Sequence, residues 1–230
     1  MQVEAGEKDA VSRRRALVER TLCFCLGLLV NSVGIALITR SGLGTSQISS
    51  LPYVWSLADP RPSFALTTFV VNMTFVVAQA VLLGRSFFPL QLLQVVANFL
   101  FSSFLGVAMA ALSWFQPQSL PLQALGVAAG CVTLGTGVAI ECAPDLIFVP
   151  GEGLVHALAQ VTGARLGTTK LAFDAVLVAS ATILSLALFG RLEGVGAGTV
   201  VTIFVTGNVV NFMDAHLPLV ARMRALAHGE

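Results

Sequence analysis

Between Ser86 and Ile140 the chain carries no charged residue. A membrane span takes roughly 20 apolar residues, so this 55-residue stretch holds two spans. The turn-like FQPQSLP of Phe115–Pro121 separates them. Soluble domains carry about 25 % charged residues; this chain has 11 %, with 56 % hydrophobic residues and a mean hydropathy of +0.85. It cannot cover a globular surface with polar groups, which excludes a soluble enzyme, and it is too apolar for a disordered chain. What remains is an all-α integral membrane protein whose first partner is the lipid bilayer. The net charge of +1 argues against a nucleic-acid partner.

Six apolar segments read as spans, at 20–39, 64–84, 89–114, 122–142, 167–189 and 196–214. The first run, Leu22–Thr39, has span length and no AxA-like end, so it reads as a retained span rather than a signal peptide. With a cytoplasmic N-terminus, the inner loops receive Lys8, Arg13, Arg14, Arg15, Arg20, Arg85, Arg165, Lys170, Arg222 and Arg224. The outer loops receive Arg40, Arg61 and Arg191. Ten against three fits the positive-inside rule, and both termini are expected in the cytoplasm. Residues 1–19 then form a basic cytoplasmic segment and 215–230 a cytoplasmic tail.

Two connections are too apolar for loops and too interrupted for spans. They are SGLGTSQISSLPYVWSL (Ser41–Leu57) and APDLIFVPGEGLVHALAQ (Ala143–Gln160). Each opens on helix breakers and continues as a short helix-compatible stretch. Both read as broken or re-entrant helices, a geometry tolerated at membrane depth only where protein or a cavity surrounds it; an interfacial helix is the alternative. They occupy matching places. A shift of 103 residues pairs Gly27 with Gly130 and Gly34 with Gly137, and lays Ser49–Leu57 over Glu152–Gln160. Each half therefore reads as span, broken helix, span, span: 20–114, then 122–214. Three spans per half force opposite orientations, the inverted-repeat arrangement of many secondary transporters.

Four motifs carry a resemblance: SGLGTS (Ser41–Ser46), VPGEGLVHAL (Val149–Leu158), LGTTKLAFD (Leu166–Asp174) and GVGAGT (Gly194–Thr199) followed by an apolar span. Over about residues 20–215 the pattern resembles the YczE/YyaS/YitT-type family of bacterial multi-spanning membrane proteins, nearest its YczE branch. The resemblance implies a multi-pass protein of the bacterial cytoplasmic membrane more than it implies a chemistry. Members often show an acidic residue after the first glycine-rich turn, where this chain has Ser46, Gln47 and Ser49.

An ionisable group within a span costs about 2.5–3.5 kcal/mol on insertion scales. Such groups cluster in the second half as Glu141, Asp145, Glu152, His156, Lys170 and Asp174. The first half offers polar neutrals, among them Asn31, Thr45, Ser46, Gln47, Asn72, Gln79, Gln91, Gln94 and Asn98. Glu152 and His156 lie four apart on the second broken helix and share a face. Pro150 suits the first turn of that helix, and Glu152 would sit at its positive end. The pair reads as a proton relay or substrate contact, or else as a helix cap beside an interfacial histidine. Lys170 and Asp174, also four apart, could pair or bracket a charged substrate. Asn72 stands where the repeat places the counterpart of Asp174. The expected polar site therefore comprises Thr45, Ser46, Gln47, Asn72, Glu152, His156, Lys170 and Asp174.

GVGAGT lacks dinucleotide-binding spacing and reads as a turn with close helix packing. GVAAG (Gly126–Gly130) also favours close helix contact, within the chain or in a homodimer. Cys23, Cys25, Cys131 and Cys142 form no CxxC pair and read as small apolar residues. No metal, cofactor or catalytic motif is expected. The reading is a secondary transporter for a small anionic or zwitterionic molecule, coupled to protons; a non-transporting accessory or assembly protein is the alternative. The topology is testable with Gln118→Cys on a background freed of native thiols. A reagent applied outside is expected to label it, and labelling from the cytoplasm alone would overturn the orientation.

Overall fold

A computed structural model describes residues 2–87 and 89–228, and the side chains of 14–87 and 91–227. The side chains of Lys8 and Arg13, which entered the charge count for orientation, lie outside that set. Among the described residues there are nine α-helices and no strand. They are α1 (Gln2–Arg40), α2 (Gln47–Ala58), α3 (Phe64–Leu83), α4 (Leu93–Ala111), α5 (Leu120–Cys142), α6 (Pro150–Thr162), α7 (Leu166–Phe189), α8 (Ala197–His216) and α9 (Pro218–His228).

Five of these helices are long and apolar enough to cross a membrane: α1 from Arg14, α3 with the turn after it, α4, α5 and α7. The bent pair α8–α9, broken by 74°, makes a possible sixth. The exterior is apolar, and many polar side chains lie inside. Val81, Val77, Phe99, Ile183 and Phe204 are exposed, whereas Gln79, Asn98, Thr67 and Thr202 are fully buried beside apolar residues such as Leu28, Ile38 and Leu105. A large exposed apolar surface over an interior that mixes polar with apolar side chains is what a hydrocarbon solvent selects. The chain is a multi-pass membrane protein.

The packing centre is α1 against α5. Within their apolar windows, 56 % of each helix is buried inside the protein, against 22 % of α7. Glycines set the approach. A Cβ at Gly27 would lie 2.5 Å from Glu141 Cα, and one at Gly34 would lie 2.4 Å from Leu134 N. On the facing helix, a Cβ at Gly130 would meet Ile38 N at 2.9 Å and one at Gly137 would meet Asn31 N at 2.3 Å. As the residue number rises along α1 its partner falls along α5, so the two helices run antiparallel. Small residues permit such backbone proximity, and dispersion then holds helices that no hydrophobic effect drives together in lipid. Around this pair α4 packs on α1, α8 on α5, α2 on α7, and α6 on α3.

Helices α2 and α6, of 12 and 13 residues, span about 18–20 Å at 1.5 Å per residue. That is too short for a hydrocarbon core of about 30 Å. Part of the irregular backbone before each helix is hydrogen-bonded to distant segments of the chain. Gly42 and Gly44 take positive φ (80° and 115°), and the turn they form lies on the GVGAGT turn. Gly198 N donates to Leu43 O at 2.8 Å, and Thr45 N to Thr199 Oγ1 at 3.1 Å. Before α6, Arg20 donates to the carbonyls of Pro144 (2.7 Å) and Asp145 (3.2 Å).

Two segments differ from the sequence reading. The third span begins as a 3-10 turn, Pro89–Leu92, and its α-helix ends at Ala111. The C-terminal tail is helical: Pro218 cannot continue α8 but suits the start of α9. Val220 and Met223, three apart, bury against Cys23, Ala139 and Ile140. Arg222 and Arg224, on the same helix, pair with Glu19 and Asp214.

The glycine seam gives a clear test. Gly137→Ala is expected to cost about 1–3 kcal/mol by overpacking against backbone that cannot yield. Gly207→Ala, in α8 with nothing within 4 Å of the added carbon, should gain roughly 0.5–1 kcal/mol from helix propensity. Thermal melting of the detergent-purified variants checks the opposite signs.

Candidate functional site

Three helices converge on a set of charges. α2 begins at Gln47 after extended Ser46, and α6 begins at Pro150 after extended Val149. Glu152, in the first turn of α6, accepts a hydrogen bond from Lys170 Nζ on α7 at 2.8 Å. One turn further along α7, Asp174 Oδ2 lies 3.7 Å from the same ammonium. The Gln47 amide faces the Asp174 carboxylate from α2. Gln47 Oε1 and Asp174 Oδ1 are buried without a hydrogen-bond partner. The Asp174 side chain is 6 % exposed and that of Lys170 36 %. Two carboxylates share one ammonium, so the cluster has a formal charge of −1 with all three groups ionised. It has room for a proton or another positive group, and unsatisfied acceptors to hold one.

Deeper in the bundle, Glu141 on α5 is buried and accepts from Asn31 Nδ2 on α1 at 2.9 Å. It is close enough to Glu152 and Lys170 to feel their charges. The α1–α5 seam therefore brings a carboxylate up behind the cluster.

A second polar assembly lies on another face of α6. Gln79 on α3 and Gln94 on α4 form a reciprocal amide pair, 3.0 Å in each direction. Gln79 Nε2 also donates to Pro150 O at 3.1 Å. Gly153 makes room for the pair, because a Cβ there would come within 2.7 Å of Gln79 Oε1. This amide pair borders a cleft of about 550 Å³, lined also by Gln91, Phe148, His156 and Gln160, with Asp145 beside them. The His156 ring stacks on Phe148, with centroids 4.2 Å apart and planes 19° from parallel. Among the described residues the lining holds no lysine or arginine. Nor do three His, Cys, Asp or Glu side chains among them converge to hold a metal ion.

Residues 18–215 match a protein family described as a family of unknown function, DUF6198. The chain belongs to the DUF6198 family. No curated protein and no solved structure matches it. The matched segment of this DUF6198 protein contains both short helices, the charge cluster and the cleft.

Of the eight residues expected at a polar site, the structure brings together Gln47, Glu152, Lys170 and Asp174. His156 shares α6 with Glu152 but stacks along the cleft. Thr45 is bound into the glycine turns: its hydroxyl lies 2.7 Å from that of Thr39. Ser46 occupies the N-cap of α2 without a side-chain cap bond. Asn72 donates to Asn98 Oδ1 at 2.9 Å, joining α3 to α4. The sequence reading did not single out Phe148 or Gln160 for a site. Neither carries a motif, and only the fold shows that they border one cavity.

Removing the shared ammonium separates a structural cluster from a dispensable one. Lys170→Met should cost about 1–3 kcal/mol, below the 3–5 of a fully buried pair because the lysine is partly exposed. Adding Glu152→Gln and Asp174→Asn to that variant should recover most of the loss, since no carboxylate is then stranded. Melting temperatures of the single and triple variants check this.

Proposed function

We propose that this DUF6198 protein is a secondary transporter of a small polar molecule, coupled to protons and resident in the bacterial cytoplasmic membrane with both termini inside. The observation that carries the reading is the double role of α6. One face of this short helix borders the cleft through Gly153, His156 and Gln160, and its flank is tied to α7 by Glu152 and Lys170. Neutralising Glu152 removes that ion pair. The tie between α6 and α7 loosens, and the cleft wall is free to move. Binding in the cleft and protonation of the cluster thus act on one element, as linkage requires.

The architecture supports the same reading. Exchanging α1 with α5, α2 with α6, α3 with α7 and α4 with α8 turns the α1–α4 contact into α5–α8 and α2–α7 into α6–α3. The 103-residue shift carries the Gly27–Glu141 approach onto Gly130–Ile38, and Gly34–Leu134 onto Gly137–Asn31. These exchanges favour two inverted halves, 20–114 and 122–214, with a short helix at the same place in each, the pattern of alternating-access carriers. The resemblance to YczE-type proteins and the loop charges favour the location and orientation. A lining without lysine or arginine favours a neutral or zwitterionic substrate over an anion.

A thermal-shift screen of the purified protein against small metabolites at several pH values tests the proposal. A ligand at about 100 times its Kd adds about 2.7 kcal/mol, a rise of roughly 5–10 °C for a chain of this size. The stabilisation is expected to vary with pH. Glu152→Gln should leave folding intact and remove that dependence, and His156→Ala should shift it without abolishing binding. An unchanged pH profile in Glu152→Gln would overturn the coupling.

A further inference from the structure

We infer that Glu141, on α5 at the α1–α5 seam, is a proton-binding site, its side chain held as the carboxylic acid against the Asn31 amide of α1. Its part in transport rests on the transporter reading; the bound proton itself stands on the seam alone.

Glu141 feels the charges of Glu152 and Lys170, and Asp174 feels the same two. One ammonium against three ionised carboxylates leaves this group negative by two charges. The fold does not serve the three carboxyls alike. Glu152 has Lys170 Nζ at 2.8 Å. Asp174 has the same ammonium at 3.7 Å and the Gln47 amide beside it. Glu141 is 3 % exposed and forms no ion pair among the described residues. Its partner is a neutral amide, with Asn31 Nδ2 donating to Oε2 at 2.9 Å. A buried carboxylate with a neutral donor and no cation in contact is the costliest of the three to keep ionised. A proton entering the group therefore settles on Glu141.

The other end of the amide points the same way. Asn31 Oδ1 is buried without a hydrogen-bond partner. A carboxylate has only acceptors and cannot serve it, whereas a carboxylic acid has an O–H to give. Acid and amide then bond in both directions, Asn31 Nδ2 to the acid's carbonyl and the acid's O–H to Asn31 Oδ1. The seam is tight here, because Gly27 abuts the backbone of Glu141 and Gly137 that of Asn31. Such packing suits a proton, which needs no volume. Glu152 faces Glu141 from α6 and Lys170 from α7. Beside it on α5, Cys142 also feels Asp214 of α8, which is paired with Arg224 of α9. Release of the proton breaks the O–H bond, leaves the electron pair on Glu141 and passes the proton to water. The new negative charge competes with Glu152 for Lys170, the ammonium that ties α6 to α7. Proton occupancy of the seam thus acts on the short helix that also borders the cleft.

Infrared spectroscopy of the full-length protein in liposomes, in ordinary and heavy water, reads the C=O stretch of a protonated carboxyl. At neutral pH a band from a buried acid is expected. It should be lost in Glu141→Gln, whose neutral amide keeps the size of the acid, and retained in Glu152→Gln and in Asp174→Asn. Asn31→Leu should move the band to higher frequency, because the acid loses its hydrogen-bonding partner; an Asn31 that only packs would leave the band in place. Absence of the band at neutral pH would overturn the assignment, as would a band that survives Glu141→Gln. Should Glu141→Gln fail to fold, the shift in Asn31→Leu decides in its place. The two readings fail separately. A band that follows Glu141, with uptake into proteoliposomes indifferent to a pH gradient, would remove the coupling and leave the bound proton. Gradient-driven uptake with a band that follows Glu152 or Asp174 would remove the site at Glu141 and leave the transporter.

Discussion

The close antiparallel contact of α1 and α5 is the constraint on which the other helices depend. In lipid there is no hydrophobic gain from bringing apolar helices together, so contact must come from packing and polar bonds. Four glycines, two on each helix, place the backbones in direct contact. The seam is also polar at one end, where Asn31 meets Glu141. Once these two helices are fixed, α4 and α8 dress their outer sides. The short helices α2 and α6 are then held against α7 and α3. A looser seam would leave the irregular backbone before α2 and α6 without the Thr199, Gly198 and Arg20 partners that keep it satisfied.

How much of this was legible in the sequence depends on the kind of signal. The span segments and the two short helices follow from hydropathy interrupted by Gly and Pro, which is local information. Gly27, Gly34, Gly130 and Gly137 stood out as a spaced pairing, although nothing local says that they face one another. The pairing of Lys170 with Asp174 follows from helical spacing, and its bond to Glu152 does not, because that contact joins two helices. The pairing of Gln79 with Gln94 and the approach of Phe148 to the cleft likewise depend on tertiary placement. Thr45 and Asn72 show the reverse case. Polar residues in apolar surroundings suggested a site, and the structure uses them to join neighbouring segments. Helix α9 is hidden because two arginines interrupt its apolar run in sequence, and only tertiary contact reveals what Val220 and Met223 bury against.

The charge cluster and the cleft sit on adjacent sides of one 13-residue helix. Such a helix has few turns and few internal hydrogen bonds, so its position is set by what it touches. Lys170 holds it from one side and the carbonyl of Pro150 meets Gln79 on another. Changes at either contact bear on the same rigid piece, so a change at the charge cluster reaches the cleft wall without any long relay of side chains.

Of the five helices that can each cross a membrane alone, α7 is the least covered by protein, with 22 % of its apolar window buried, and it carries both Lys170 and Asp174. Most of its circumference is therefore left uncovered by the rest of the chain. A change in bilayer thickness or lateral pressure acts on α7 more directly than on α1 or α5, and tilting α7 to relieve mismatch alters the reach of Lys170 toward Glu152. Lipid composition thus becomes a variable of the charge cluster itself, and proteins reconstituted in short-chain and long-chain lipids are not chemically equivalent at this position.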